Sequence, residues 1–194
     1  MIIVIEGADQ AGKKTQSQLL ARALKKSKIK TKIFSFPDYT TPLGQEINKF
    51  LHGKRKFPPQ VIHCLLAANR WEKLAEIQKA HQKNSVIIMN RYYQSNLVYG
   101  VANGLNLSWL QGLDEGLPKA DLVIVLDVPQ KISFLRKKTK RDRFEKNTKF
   151  LKKISKTYRI LAKKFGWKVI DASQTKDRVH QEIMKTLSSK LARL

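Results

Sequence analysis

Residues Gly7 to Thr15 read Gly-Ala-Asp-Gln-Ala-Gly-Lys-Lys-Thr, between the apolar run Ile2-Ile3-Val4-Ile5 and a helix-forming run from Gln18 to Lys26. Strand, glycine loop and helix in that order build a cradle for phosphate. The glycines let successive backbone N–H groups turn inward on a polyphosphate, the helix N-terminus adds partial positive charge, and the Lys13 ammonium reaches the β and γ phosphates. A nucleoside triphosphate is the ligand this loop implies, with Gly7, Ala8, Asp9, Gln10, Ala11, Gly12, Lys13, Lys14 and Thr15 around its phosphates. One position breaks the pattern. A serine or threonine normally follows the lysine and holds Mg²⁺ through its hydroxyl, and this chain has Lys14.

Outward from the cradle, strand-like runs at Ile2–Glu6, Thr31–Ser35, Val86–Met89, Leu122–Leu126 and Lys168–Ile170 alternate with helix-like segments. The helical segments are Lys13–Lys26, Pro42–Leu51, Pro59–Gln82, Gln94–Leu105, Leu107–Gly116, Gln130–Lys138, Lys146–Phe165 and Thr175–Leu191. The alternation predicts an α/β fold: a five-stranded parallel β-sheet flanked by helices on both faces. Leu151, Ile154, Tyr158, Leu161 and Phe165 recur at three-and-four spacing, which makes one apolar stripe for the core. Arg136–Asn147 is so charged that a mobile loop with its helix ends is expected there. Ligands of open parallel sheets sit at the carboxyl ends of the strands. Polar residues gather at those places: the cradle, Phe36-Pro37-Asp38-Tyr39, Asn90-Arg91-Tyr92, Asp127-Val128-Pro129 and Asp171-Ala172-Ser173.

With 194 residues and 42% hydrophobic content, the chain suits one compact domain over residues 1–194. No apolar run reaches the length of a membrane span, and Met1 leads straight into a strand, so a cytoplasmic protein without membrane attachment is expected. Cys64 alone forms no internal disulfide, and His52, His63, His81 and His180 are too scattered for a metal set. Lysine and arginine number 39 against 15 acidic residues, a net charge of +24. Such a chain attracts polyanions, either nucleic acid or small phosphorylated metabolites drawn into a basic cleft. The lysines are spread through helices without interleaved aromatic residues, which favours solvated faces over a stacking platform for single strands.

Transfer of a γ-phosphoryl group needs a cradle for the donor, a clamp for the acceptor, and positive charge where the transition state is negative. Three groups of arginines fit those needs. Arg70 lies in the apolar helix Leu65-Leu66-Ala67-Ala68-Asn69-Arg70-Trp71-Glu72, where a buried guanidinium requires an anion, either a ligand or an ion-pair partner within the protein. Arg91 directly follows the third strand, where its planar fork can face phosphates or form a surface salt bridge. Arg141 and Arg143 lie in the basic segment, either as a closing lid or as a solvated loop.

In this combination the chain resembles the thymidylate kinases, P-loop nucleoside-monophosphate kinases that convert dTMP and ATP to dTDP and ADP. Glu6-Gly7-Ala8-Asp9 with Gly12-Lys13 and Thr15-Gln16 is similar to their phosphate loop, and Phe36-Pro37 to their acceptor loop. Ala68-Asn69-Arg70-Trp71-Glu72 resembles their acceptor-phosphate helix, and Arg91-Tyr92 with Ser95 and Tyr99 their Asp-Arg-Tyr segment. Leu122–Pro129, Asp142-Arg143-Phe144-Glu145 and Val169–Ser173 resemble their fourth strand, lid and adenine-side loop. The resemblance implies a P-loop kinase fold with a short basic lid at about 136–147. It also implies that Lys13, Asp9, Arg91, Arg141 and Arg143 carry catalysis and that Ser173 joins the cradle around ATP. The acceptor is then bound by Asp9, Pro37, Leu66, Asn69, Arg70, Arg91, Ser95 and Tyr99, with Asp9 facing the deoxyribose 3′-hydroxyl. A homodimer is implied as well. Gln10 stands where some members have a catalytic arginine, so the resemblance favours the type whose arginines lie in the lid.

Four positions depart from the family pattern. Lys14 replaces the metal-binding hydroxyl and Asn90 replaces the aspartate of Asp-Arg-Tyr, so no protein ligand for Mg²⁺ is assured and the ion is expected near these residues, carried mainly by ATP. Leu66 replaces the aromatic ring expected on the thymine, and Gly100 stands for a polar residue close to the base. These four keep two rivals in view: a kinase for another monophosphate, and a weakly active or inactive kinase fold binding nucleic acid or an acidic partner. Retention of Asn69, Arg70, Arg91 and the lid arginines together favours the kinase over the nucleic-acid binder.

Overall fold

The computed structural model describes residues 1–83, 86–136 and 148–191. Its five strands are β1 (Ile2–Gly7), β2 (Thr31–Ser35), β3 (Val86–Asn90), β4 (Leu122–Asp127) and β5 (Lys168–Asp171). They form one parallel sheet in the order β2-β3-β1-β4-β5, as the alternation predicts. β1 is central, so the cradle that follows it opens in the middle of the sheet's carboxyl edge.

The inner strands read as unbroken aliphatic runs because helices cover both faces. On one face Ile3, Ile5, Ile88, Ile124 and Leu126 pack with Leu20 and Leu24 of α1 (Lys13–Lys26) and Ile183 and Leu187 of α9 (Lys176–Leu191). On the other, Ile2, Val4, Ile87 and Met89 meet Phe34, Phe36, Ile77 and Tyr92. α2 (Pro42–Leu51) packs on α3 (Pro59–Trp71) through Ile47, Phe50 and Ile62. α5 (Tyr93–Ala102) packs on α8 (Thr148–Phe165), where the expected stripe is found: Leu151, Ile154, Tyr158 and Leu161 are buried and Phe165 is partly so.

Two helices differ from expectation, and both differences build the site. The segment Pro59–Gln82 is not one helix. α3 stops at Trp71 and α4 (Leu74–Gln82) begins after Lys73, whose φ of −99° and ψ of 2° leave the helical region. Lys73 turns its ammonium to Asp38 at 3.2 Å and to Glu76 at 2.9 Å, and the break lets α4 bury Ile77 and Ala80 against the sheet. α6 (Leu107–Gly112) ends earlier than expected, and the turn after it carries Asp114 into the core. Trp71 secures that turn, its Nε1 donating to the Leu113 carbonyl at 2.9 Å. α7 (Gln130–Arg136) is described as far as Arg136, and the rest of the expected lid, with Arg141 and Arg143, lies outside the described residues.

Candidate active site

The loop after β1 turns on two glycines, one required by space and both favoured by their positive φ. Gly7 has φ +139°, and a Cβ there would lie 2.4 Å from the Leu126 carbonyl oxygen; Gly12 has φ +93° at the N-cap of α1. No side chain caps α1 and no acid stands in its first turn, which suits its leading amides to an anion. Lys13 lies back over the loop, its Nζ donating to the carbonyls of Gly7 at 3.1 Å and Ala8 at 2.7 Å, with Asp9 at 3.9 Å. The cleft in front of this loop has a volume of about 960 Å³. Lys13, Lys14, Arg91, Arg136 and Lys176 line it against one carboxylate, Asp9.

Arg91 enters from the end of β3 in a left-handed conformation, φ 64°, a strained backbone for a residue with a side chain. Glu6 is what over-determines it. This fully buried carboxylate accepts from the amides of Tyr92 at 2.9 Å and Ser95 at 3.0 Å, from Ser95 Oγ at 2.7 Å and from Tyr158 Oη at 2.7 Å. The start of α5 is thereby pinned to β1, and the guanidinium of Arg91 donates to Asp9, to the Gly7 carbonyl and to Ser95 Oγ. Tyr99 donates to the second oxygen of Asp9 at 3.1 Å. Burial alone would raise the Asp9 carboxyl. The charges of Arg91 and Lys13, with hydrogen bonds from Tyr99 and Arg91, outweigh it and hold the group below the usual carboxylate range. Burial pushes the Tyr99 phenol up, so it stays a donor.

Beyond Arg91 the cleft continues into a smaller recess of about 100 Å³ lined by Arg70, Leu66, Ser95, Asn96 and Tyr99. Asp9, Phe36, Pro37, Tyr39 and Arg91 line both spaces, so the two are continuous. Arg70 is 2% exposed and meets both alternatives raised for it: it lines the recess and is also paired with Asp114, Nε at 2.7 Å and Nη2 at 2.8 Å from the two carboxylate oxygens. Asn69 is fully buried and is not among the recess residues. It braces the loop after β2, accepting from the Asp38 amide at 2.8 Å and donating to the Asp38 carbonyl and Thr41 Oγ1.

The base end of the recess corrects one expectation and adds a residue. Gly100 faces away from it, since a Cβ there would strike Leu110 at 2.5 Å, so it cannot set polarity near a base. Asn96, which the sequence did not single out, does line the recess. Its Oδ1 accepts from His63 Nδ1 at 2.5 Å and its Nδ2 donates to the His63 carbonyl at 3.2 Å. Burial pushes the His63 imidazole down, so it is neutral, with the proton on Nδ1 and Nε2 facing Asn103.

α7 was also missed as a functional element. Ser133 Oγ donates to the Asp9 carbonyl at 2.8 Å, and Arg136 donates to the carbonyls of Gln10 and Ala172, tying the cradle to the loop after β5. Ser173 in that loop hydrogen-bonds Asp171, and the cleft wall there is formed by its neighbours Ala172 and Gln174.

The carboxylates nearest the expected metal side are each engaged within the protein. Lys14 and Thr15 are exposed at the cleft, and Asn90 donates its amide to Ser35 Oγ at 3.2 Å. Glu6 is engaged by its four donors, Asp9 by Arg91 and Tyr99, and Asp38 by Thr40 and Lys73. Among the described residues no group of three or more His, Cys, Asp or Glu side chains is placed to hold a metal. Nor is any described helix long and apolar enough to cross a membrane.

Comparison with known proteins agrees with this geometry. The family model for thymidylate kinase matches residues 5–183. The thymidylate kinase of Schizosaccharomyces pombe is 37% identical over 193 residues, covering 97% of this chain and 91% of its own length. The Homo sapiens thymidylate kinase is 31% identical, covering 94% of this chain and 87% of its own. A solved structure of the Candida albicans thymidylate kinase, described as revealing the origin of broad substrate specificity, superimposes with a TM-score of 0.87 at 29% identity, over 97% of this chain and 91% of that one. The chain belongs to the thymidylate kinase family, nucleoside-monophosphate kinases of the P-loop fold.

Proposed function

We propose that this chain is a single-domain thymidylate kinase that passes the γ-phosphoryl group of ATP directly to dTMP, giving dTDP and ADP. The observation that carries the reading is the shared wall: Asp9, Phe36, Pro37, Tyr39 and Arg91 join a phosphate cleft headed by Lys13 to a recess that ends at Arg70. A donor in the cleft and an acceptor in the recess meet at Arg91. An oxygen of the acceptor phosphate attacks the γ-phosphorus while the bond to the ADP leaving oxygen breaks. The acceptor phosphate is already largely ionised near pH 7, with a second pKa of about 6, so no side chain has to remove a proton. Asp9 therefore serves by holding Arg91 and facing the sugar hydroxyl, and Lys13, Arg91 and the lid arginines Arg141 and Arg143 supply positive charge.

Mg²⁺ would be held mainly by ATP, with Lys14 placed to neutralise phosphate directly, because neither Lys14 nor Asn90 offers an anionic ligand. Asn96 lines the recess at the base end, while Leu66 covers the base by apolar contact alone. The base reading is correspondingly permissive, in keeping with the broad specificity described for the Candida protein. A homodimer and a cytoplasmic location belong to the same reading through the family; light scattering of the purified chain tests the first.

A panel of nucleoside monophosphates incubated with ATP, with and without Mg²⁺, tests the function. dTMP is expected to turn over fastest, with dUMP within about tenfold, since one methyl against an apolar wall contributes roughly 1 kcal/mol. A purine monophosphate used as well as dTMP would overturn the base assignment, and no turnover of any substrate would leave the chain a nucleotide-binding relative.

A further inference from the structure

A second cationic surface lies apart from the cleft. Lys25, Lys28, Lys30 and Lys32 run along one wall of a groove of about 760 Å³, where α1 turns into the edge strand β2, and Lys79 of α4 with Lys83 just beyond that helix forms the other. All six are exposed, and none lines the cleft or the recess. The groove sits at the amino ends of the strands, opposite the carboxyl ends that form the active site. Its one acidic residue, Glu76, is already shared between Lys73 at 2.9 Å and Lys32 at 3.6 Å.

Part of this charge has a local explanation. α1 and α4 both end at the groove, and lysines in a last helical turn are favoured by the partial negative charge there. Lys28, Lys30 and Lys32 lie beyond that turn. Lys28 also closes α1 in a position that glycine occupies most cheaply. Its φ is +59°, its amide donates to the Lys25 carbonyl, and the Ile29 amide reaches back to the Leu24 carbonyl at 3.0 Å. A left-handed lysine there keeps a charge in the groove at the expense of backbone strain.

We propose that this groove binds the phosphodiester backbone of duplex nucleic acid without regard to sequence. Its cations are all ammonium point charges, with no arginine fork for bidentate reading of bases and no aromatic ring for stacking an unpaired one. Its floor is the aliphatic pair Ile29 and Ala80. Such a surface neutralises phosphates and reads nothing else.

The test is fluorescence anisotropy of the full chain with a short fluorescein-labelled DNA duplex across a KCl titration. Five neutralised phosphates give a slope of log K against log[KCl] of about −4.5, at about 0.9 per phosphate. The triple variant Lys28→Gly, Lys30→Gln and Lys79→Gln should make that slope shallower by about 2.7 and weaken binding about tenfold or more at low salt. Thymidylate kinase turnover should be unchanged, and so should the melting temperature, since Lys28→Gly also relieves the left-handed strain. The control removes equal charge elsewhere, with Lys152→Gln, Lys153→Gln and Lys156→Gln on the exposed side of α8. Binding that survives in the control and falls in the groove variant supports the proposal. Equal loss in both, no binding to the duplex at low salt, or polyglutamate bound as tightly as the duplex would each overturn it, the last in favour of an acidic protein.

Discussion

Arg70 and Asp114 meet side-on inside the molecule, two N–H groups of one facing two oxygens of the other at 2.7 and 2.8 Å, with each side chain only 3% exposed. The pair engages Nε and Nη2 of the guanidinium, and Arg70 also lines the recess. On the proposed reading, in which Arg70 grips the acceptor phosphate, Asp114 is a positioning residue held in place by the turn that Trp71 secures.

Removing one partner strands a buried charge. Asp114→Ala is expected to lower stability by about 3–5 kcal/mol, seen as a lower urea midpoint with an unchanged slope. The double variant Arg70→Met/Asp114→Leu should recover most of that stability, because the charges leave together. Its turnover of dTMP should stay lost, which separates the folding role of the pair from its role toward substrate.

Asp9→Asn should cost about 10- to 100-fold in kcat/KM for dTMP, the value of a hydrogen bond to a charged group, and much less for the 3′-deoxy analogue. Its pH behaviour follows from the depressed carboxyl. A group whose folded pKa lies below its unfolded value contributes stability that is full above the unfolded value, about 3.8, and fades as the pH falls through the folded one. Acid unfolding curves of the two proteins should therefore differ by a constant amount at neutral pH and converge below about pH 4.

Lys14→Thr combined with Asn90→Asp restores a hydroxyl and a carboxylate on the metal side. The Mg²⁺ concentration for half-maximal turnover should drop by about tenfold or more, with little change in KM for dTMP. An unchanged metal requirement would mean that these positions do not face the ion.

Leu66→Phe puts a ring where the recess has an aliphatic chain. Offset stacking is worth about 0.5–1.5 kcal/mol, so KM for dTMP should fall about two- to tenfold at nearly constant kcat, measured by initial rates.

What could be read from the sequence was whatever is local in it. The cradle, five strands and apolar stripe of α8 follow from spacing within a few residues, and all appear where expected. Arg70–Asp114 and His63–Asn96 are pairs 44 and 33 residues apart, joined only by the turn after α6 and the packing of α3 on α5. No periodicity announces such contacts. Gly100 was misjudged because a matching position in a sequence does not say which way a helix turns, and its Cα faces Leu110. Asn69 shows a role its sequence position did not announce, since a buried amide in an acceptor helix can brace a loop, here the one after β2. Arg136 was read only as the start of a charged mobile loop, whereas it ends α7 and donates to the loops on either side of it.

Single-turnover transfer from ATP labelled in the γ-phosphate tests the central claim, that Arg91 joins donor and acceptor spaces into one reaction site. With dTMP and Mg²⁺ the wild-type chain should convert the label to dTDP. Arg91→Ala should abolish that transfer while changing ATP affinity only a few-fold. Label released as inorganic phosphate at the same rate with and without dTMP, or equal transfer by the variant, would contradict the account.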